Sequence, residues 1–298
     1  MQGTLYGVRL AQAGHAVTLI ARGHRAEELR RHGAIIEHVL TGRREAMQLS
    51  LAEALTADLH ADLCLVTVRR EQLESVIPAL SGARGIGRAV FLVNHACGSA
   101  SLFAALGRHR TVLGFPGAAG SIENGVDQYI EVAPQPTALE ASAPDVAKLF
   151  RGAGFRVSLV RDMDSWLRRH AVFVTAVSGA LYQVGTDAGR LASDRQQVRN
   201  LIVAIREGWA AMDRQSIAPA PIAIRAIFQW VPLPFAVRYW QRLLGSAQGE
   251  YYFARHTRHA AKEMAALAAD VCALLPNEAM PRLRGLYAAV DRAAGSIP

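Results

Sequence analysis

Lysine is almost missing from this 298-residue chain: of its 33 basic side chains only Lys148 and Lys262 are lysine, and the rest are arginine. Any chemistry that needs a desolvated amine is therefore restricted to two positions. Cysteine is scarce as well. Cys64, Cys97 and Cys272 stand at unrelated spacings, which excludes a disulfide framework and a cysteine-rich zinc site and suits a reducing cytoplasm. No apolar run approaches the length of a membrane span, so the chain is expected to be soluble and cytoplasmic, with no membrane partner. Nothing at the start resembles a signal peptide. The net charge of +8 is not gathered into a basic run interleaved with aromatics, so anionic small molecules, and not nucleic acid, are the expected partners.

What is present is enough apolar material, 51% of the residues, for two domains with cores of their own. The first half alternates strand and helix patterns. Leu5 to Gly14 reads as a short helix stopped by glycine, and Ala16-Val17-Thr18-Leu19-Ile20 follows as a strand. Helix then strand is the second half of a βαβ unit. The third glycine of a G-x-G-x-x-G fingerprint lies where such a helix begins, and Gly3 fits that place, with Thr4 and Leu5 beside it at the phosphate-facing end. The first strand and first two glycines are absent from residues 1–298, so the expectation is a front end that begins about ten residues upstream, with Met1 internal. At the end of the next strand, where NAD-binding units place an acid, the chain has Ala21-Arg22-Gly23-His24-Arg25. Arg22 suits a 2′-phosphate and points to NADP.

Ala61 to Val68 and Arg88 to Val93 are continuous apolar runs of the kind buried in a parallel sheet. Each ends in polar residues, which places Arg69 and Asn94 at the carboxyl ends of strands, where ligands bind in open α/β sheets. Runs at Tyr129 to Val132 and Arg156 to Val160 are expected as antiparallel additions at the sheet edge. From Asp164 the pattern turns helical, with Asp164 or Ser165 as N-cap of a long helix. The expected domains are 1–161, Rossmann-like and nucleotide-binding, and 162–298, all-helical and serving substrate binding and dimerisation. Within the second, Trp166, His170, Phe173, Val177 and Leu181 repeat at helical spacing, so His170 reads as a packed core or cleft-edge residue and not as an acid–base group. His256, His259 and Glu263 share one face of a helix and read as a polar face, with no metal implied.

The segments G-T-L-Y-G-V-R-L-A-Q-A-G-H-A-V-T-L-I-A-R at 3–22, T-V-R at 67–69, L-V-N-H-A-C-G at 92–98 and D-M-D-S-W-L-R-R-H at 162–170 together resemble the ketopantoate reductase family. The resemblance implies an NADP-binding Rossmann domain joined to a helical domain, a site in the cleft between them, and reduction of 2-dehydropantoate to pantoate, a step of pantothenate biosynthesis, by hydride from NADPH. It matches the family's asparagine to Asn94 and its basic residue after T-V to Arg69. The family's proton-donating lysine corresponds to Arg168, and the asparagine one turn on corresponds to Val172. A guanidinium stays charged at neutral pH, so Arg168 can stabilise an alkoxide or hold a carboxylate but is a poor general acid. The later Ser-x-x-x-acid pattern matches Ser246 and Glu250, giving Ser246 as a substrate contact, and Glu263 is the nearest carboxylate to the family's last acidic position.

Two readings follow. One is an NADPH-dependent reductase of a 2-keto acid, as a homodimer. The other is a relative that binds nucleotide or acidic metabolite without turnover, favoured by Arg168 and Val172. A parallel sheet lacking one central strand exposes its neighbours' backbone groups. Residues 1–298 alone are thus expected to be less soluble and less heat-stable than a chain extended upstream by one strand, and equal melting temperatures and solubilities of the two would refute this.

Overall fold

The computed structural model describes residues 1–132, 135–219 and 225–296. Packing divides them into two units, Met1–Val93 with Ser99–Met163, and Asn94–Gly98 with Asp164–Pro298. The five residues Asn94–Gly98 thus belong to the helical unit although the strand before them and the helix after them do not.

In the first unit α1 (Gln2–Gln12) leads to β1 (Thr18–Ile20), α2 (Gly23–His32), β2 (Ala34–His38), β3 (Arg44–Met47), β4 (Ser50–Ala52) and β5 (Ala61–Val66). Then come α3 (Leu73–Gly82), β6 (Ile86–Leu92), α4 (Ala100–Leu106), β7 (Thr111–Phe115), β8 (Ala118–Glu123), β9 (Val126–Glu131), β10 (Thr137–Glu140), α5 (Pro144–Gly152) and β11 (Val157–Val160). β5, β6 and β7 are parallel, as their unbroken apolar sequences require, and β10 adds antiparallel to β7. β11 lies at the edge, parallel to β10 and so antiparallel to the rest of the sheet. The expected edge strand at Tyr129–Val132 is placed elsewhere: β9 joins β8, β2 and β3 in a separate four-stranded sheet, paired parallel to β2. Among the described residues β1 and β4 pair only with each other. The core gathers around Tyr6, whose ring stacks on Phe155 at 4.1 Å and whose hydroxyl meets Thr137 Oγ1 at 2.5 Å. Burial pushes the Tyr6 phenol up to about 12.

The second unit is helical: α6 (Met163–Gln183), α7 (Ala188–Ser193), α8 (Arg195–Arg214), a π-turn at Ala226–Trp230, α9 (Leu233–Leu244), short turns through Ala254, α10 (Arg255–Arg258), α11 (Ala261–Leu274) and α12 (Pro281–Gly295). α6 begins at Met163, so Asp164 and Ser165 lie in its first turn and neither is the residue before it. Asp187 and Asp194 cap α7 and α8 by accepting backbone N–H bonds at 2.9–3.0 Å. The apolar row Trp166, Phe173, Val177 and Leu181 packs inward, as its spacing predicts, but α6 is buried around most of its circumference. On another face lies Arg169, 1% exposed. Its Nε donates to Ala218 O at 2.8 Å, Nη1 to Trp209 O at 3.1 Å, and Nη2 to Ile217 O and Asp213 Oδ1, both at 2.6 Å. The Trp209 indole returns a bond to Arg169 O at 3.1 Å.

Replacing Arg169 with lysine keeps the charge and loses the fork that reaches three carbonyls and a carboxylate at once. Urea denaturation of Arg169→Lys should show a loss of about 3 kcal/mol, within the range for broken buried charge networks; a loss under about 1 kcal/mol would mean that the carbonyls find other donors.

Candidate functional site

In the first unit, the start of α1 packs closely on the Thr67 side chain. A Cβ on Gly3 would stand 2.9 Å from Thr67 Oγ1, two residues before Arg69, so the small residue lets the helix end approach the carboxyl end of β5. Thr4 is buried and its Oγ1 lies 3.3 Å from the donating Arg25 Nη2. Arg25 also binds the wholly buried Asp127 and donates to Gly125 O at 3.1 Å. Leu5 is fully buried in the Tyr6 cluster, so its side chain is core and only its backbone can serve a ligand. Arg22 immediately precedes α2 in extended conformation, and both it and Arg69 are exposed. Sequence spacing points to Arg22 and passes over Arg25, whose partner Asp127 lies 102 residues away and leaves no local signal.

In the second unit the decisive contact is between the Asn94–Gly98 loop and α6. Gly98 has φ +87°, a left-handed conformation that favours glycine, and a Cβ there would stand 2.7 Å from Arg168 Nη2. Glycine at 98 therefore admits the Arg168 guanidinium against the loop backbone. Asn94 is 8% exposed, and its Oδ1 has no hydrogen-bond partner; the Arg168 Nε is also buried without one. An acceptor and a donor are thus left unsatisfied on the two elements that this close approach joins. Asp270 of α11 fixes the loop, its Oδ2 accepting from Ala96 N at 3.4 Å. Sequence reasoning misses Asp270, which is 174 residues from its partner.

The remaining candidates stand apart in role. Val172, which the resemblance sets at an asparagine position, is fully buried against Gly208 and is part of the core. Ser246 is exposed, and its Oγ donates to Leu243 O at 2.6 Å, a local turn bond. Glu250 pairs with Arg258. Glu263 is buried, with Oε2 3.9 Å from His256 Nε2. The expected single helical face through His256, His259 and Glu263 does not form, because the helix breaks at His259–Ala260 between α10 and α11. Among the described residues no group of acidic, histidine and cysteine side chains could hold a metal, and no helix is long and apolar enough to cross a membrane.

His170, two residues beyond Arg168, stacks on Trp166 at 5.0 Å and lies edge-on to Phe173 at 5.9 Å. Burial, with a lesser contribution from the His256 charge, pushes it down to about 3. It is therefore a neutral ring of the core at ordinary pH.

Residues 2–132 match the family model Ketopantoate reductase PanE/ApbA. No curated protein matches the chain. Over its whole length the fold is similar to that of D-mandelate dehydrogenase in its ternary structure with NADH and anilino(oxo)acetate, at 13% identity, TM-score 0.77, covering 99% of this chain and 96% of that one. It is similar also to 2-dehydropantoate 2-reductase from Geobacter metallireducens, at 14% identity, TM-score 0.75, covering 98% and 96%. A PanE/ApbA family ketopantoate reductase from Ralstonia eutropha aligns at 20% identity, TM-score 0.72, covering 97% and 94%. The architecture of a Rossmann-like α/β part followed by a helical part is common to all of them.

A histidine whose folded pKa lies below its unfolded value binds its proton more readily when unfolded, so stability is full above about 6.5 and is lost as pH falls toward the folded value of about 3. Unfolding free energy should fall by roughly 1 kcal/mol per pH unit below about pH 6 from this group. In His170→Phe that slope should be shallower by the same amount in denaturation series from pH 7 to pH 4.5; an unchanged slope would assign the acid sensitivity elsewhere.

Proposed function

We propose that the chain is an NADPH-dependent reductase of a 2-keto acid, and that Asn94 and Arg168 bind the reacting end of the substrate. The observation that carries this reading is the pair of unsatisfied buried atoms, Asn94 Oδ1 and Arg168 Nε, on elements drawn together at Gly98. Buried polar atoms in native proteins are ordinarily paired, and an orphaned acceptor and donor in one region fit a polar ligand. Arg168 offers a planar fork for a carboxylate or for the oxygen that becomes an alkoxide, and the Asn94 carbonyl offers an acceptor for a hydroxyl.

The residues fit a phosphate-bearing nucleotide in part. Arg22 and Arg69, both exposed, are cations beside the expected binding turn, and Arg22 suits a 2′-phosphate. The positive end of α1 is less free, because Met1 N lies 3.1 Å from Asp127 Oδ1, a carboxylate that Arg25 also binds. The arginine side chains, more than the helix end, would hold the phosphates, and Gly3 and Thr4 would bound the turn. The bound cofactor would supply the hydride to the keto carbon. Arg168 then stabilises the developing negative oxygen by charge and hydrogen bonding, and the proton comes from water, since a guanidinium is not a useful general acid near neutrality. Ser246 and Glu263 remain candidates for the far end of the substrate. The names of the structural neighbours, 2-dehydropantoate reductases and a D-mandelate dehydrogenase, set the range of side chains to try. A second reading, ligand binding without turnover, rests on Arg168 in the lysine position and on Val172 in the core.

NADPH oxidation followed with a panel of 2-keto acids that includes 2-dehydropantoate and phenylglyoxylate tests the reading. Arg168→Lys should raise kcat by roughly tenfold or more and give it a falling alkaline limb, because a positioned general acid contributes about a hundredfold to ten-thousandfold. Arg168→Ala should abolish turnover, and Arg22→Ala should weaken NADPH by about tenfold while leaving NADH nearly unchanged. NADPH binding with no turnover by either the wild-type chain or the Arg168→Lys variant would support the second reading, and no binding at all would remove both.

A further inference from the structure

Among the described residues of the helical unit, the exposed large apolar side chains are Trp230, Phe235 and Tyr239, at 57%, 68% and 47%. The others among the described residues, Ile20, Leu40, Ile122 and Leu159, are scattered through the other unit. The three aromatics fall within ten residues, two of them on α9. That helix buries Ala236, Val237, Trp240 and Leu244, and exposes Phe235, Arg238, Tyr239 and Arg242 as one stripe. The sequence has no acidic residue between Asp213 and Glu250. Aromatic and arginine side chains without lysine or carboxylates are the composition of buried protein interfaces.

The order of the stripe says what covers it. Aromatic, cation, aromatic, cation stand at 235, 238, 239 and 242. If a second α9 lies antiparallel across it on a two-fold axis passing between 238 and 239, Phe235 faces Arg242 of the other copy and Arg238 faces its Tyr239. Both pairs then occur twice. Every ring meets a guanidinium, no two arginines are opposed, and the stripe is its own complement, as a two-fold interface requires. The same pairing already exists within the patch, where Arg225 lies 5.2 Å from the centre of the Trp230 ring. We propose that the Phe235–Arg242 face of α9 is the interface of a two-fold dimer of this chain, built on reciprocal arginine–aromatic contacts between antiparallel helices.

The test is sedimentation equilibrium and light scattering of the wild-type chain, Phe235→Arg, and the double variant Phe235→Arg/Arg242→Phe. Wild type should be dimeric at micromolar concentration. Phe235→Arg opposes two arginines twice over and should raise the dimer Kd by on the order of a hundredfold. The double variant restores an arginine facing a ring and should return to within about threefold of wild type. Circular dichroism checks that the variants fold; should Phe235→Arg misfold, Tyr239→Ala, which removes the central ring contacts without adding charge, should weaken the dimer by about tenfold. A monomeric wild type, a Phe235→Arg chain that dimerises as tightly, or a folded double variant that stays monomeric would overturn the proposal. So would sedimentation of a monomeric wild type with phosphatidylserine vesicles but not with phosphatidylcholine vesicles, which would assign the stripe to an anionic membrane surface.

Discussion

The helical unit depends on one buried guanidinium. Arg169 projects from α6 into a cage of three backbone carbonyls and the Asp213 carboxylate, and so joins α6 to the end of α8 and to the turn at Ile217–Ala218. Carrying a charge into a core costs several kcal/mol unless its donors are met, and here every nitrogen of the fork is met. The consequence is rotational. With Arg169 locked on one side, the neighbouring Arg168 is turned about 100° away from it, toward the Asn94–Gly98 loop. The same rotation sets Val172 against Gly208 of α8. Arginine at 169 therefore fixes which face of α6 turns toward α8 and which toward the Asn94–Gly98 loop.

The paired arginines illustrate the limits of reading a sequence. Trp166-Leu167-Arg168-Arg169 looks like two solvated cations after an apolar pair, and nothing local says that the second is the more buried. Its acceptors are 40 to 49 residues away and are mostly main chain, which carries no residue signature. The elements with strong local signals were legible. β5 and β6 follow from unbroken apolar runs, the α6 core row from its spacing, and the ketopantoate reductase likeness from short segments in the first 170 residues. The grouping of strands into sheets was not, because β9 chooses β2 through pairings about 91 residues apart that no window of sequence contains. The expected face of His256, His259 and Glu263 failed for a local reason, a helix break at Ala260 without proline or glycine to announce it.

In the candidate site, legibility followed chemistry. Asn94, Gly3, Arg22 and Arg168 stood out because their residue types at those spacings have a use in nucleotide or keto-acid binding. Gly98 is legible only as part of a motif, while its structural reason is the guanidinium lying on its backbone. Asp127 and Asp270 were silent, since a carboxylate that pairs across more than a hundred residues looks like any surface acid. Both act on the site from outside it, one by occupying the end of α1 and the other by tying down the loop at Ala96.

The allocation of Asn94–Gly98 to the helical unit has a consequence for how such a protein can be inherited in pieces. The chain passes between its two units three times, after Val93, after Gly98 and after Met163. A gene segment encoding only Asp164 onward carries Arg168 and Asp270 but leaves behind the loop that both of them contact. The helical half is thus not an exchangeable cassette: recombination at Met163 would part Arg168 and Asp270 from the loop on which they pack, and only a chimaera that also transfers residues 94–98 would preserve the match between loop and helices.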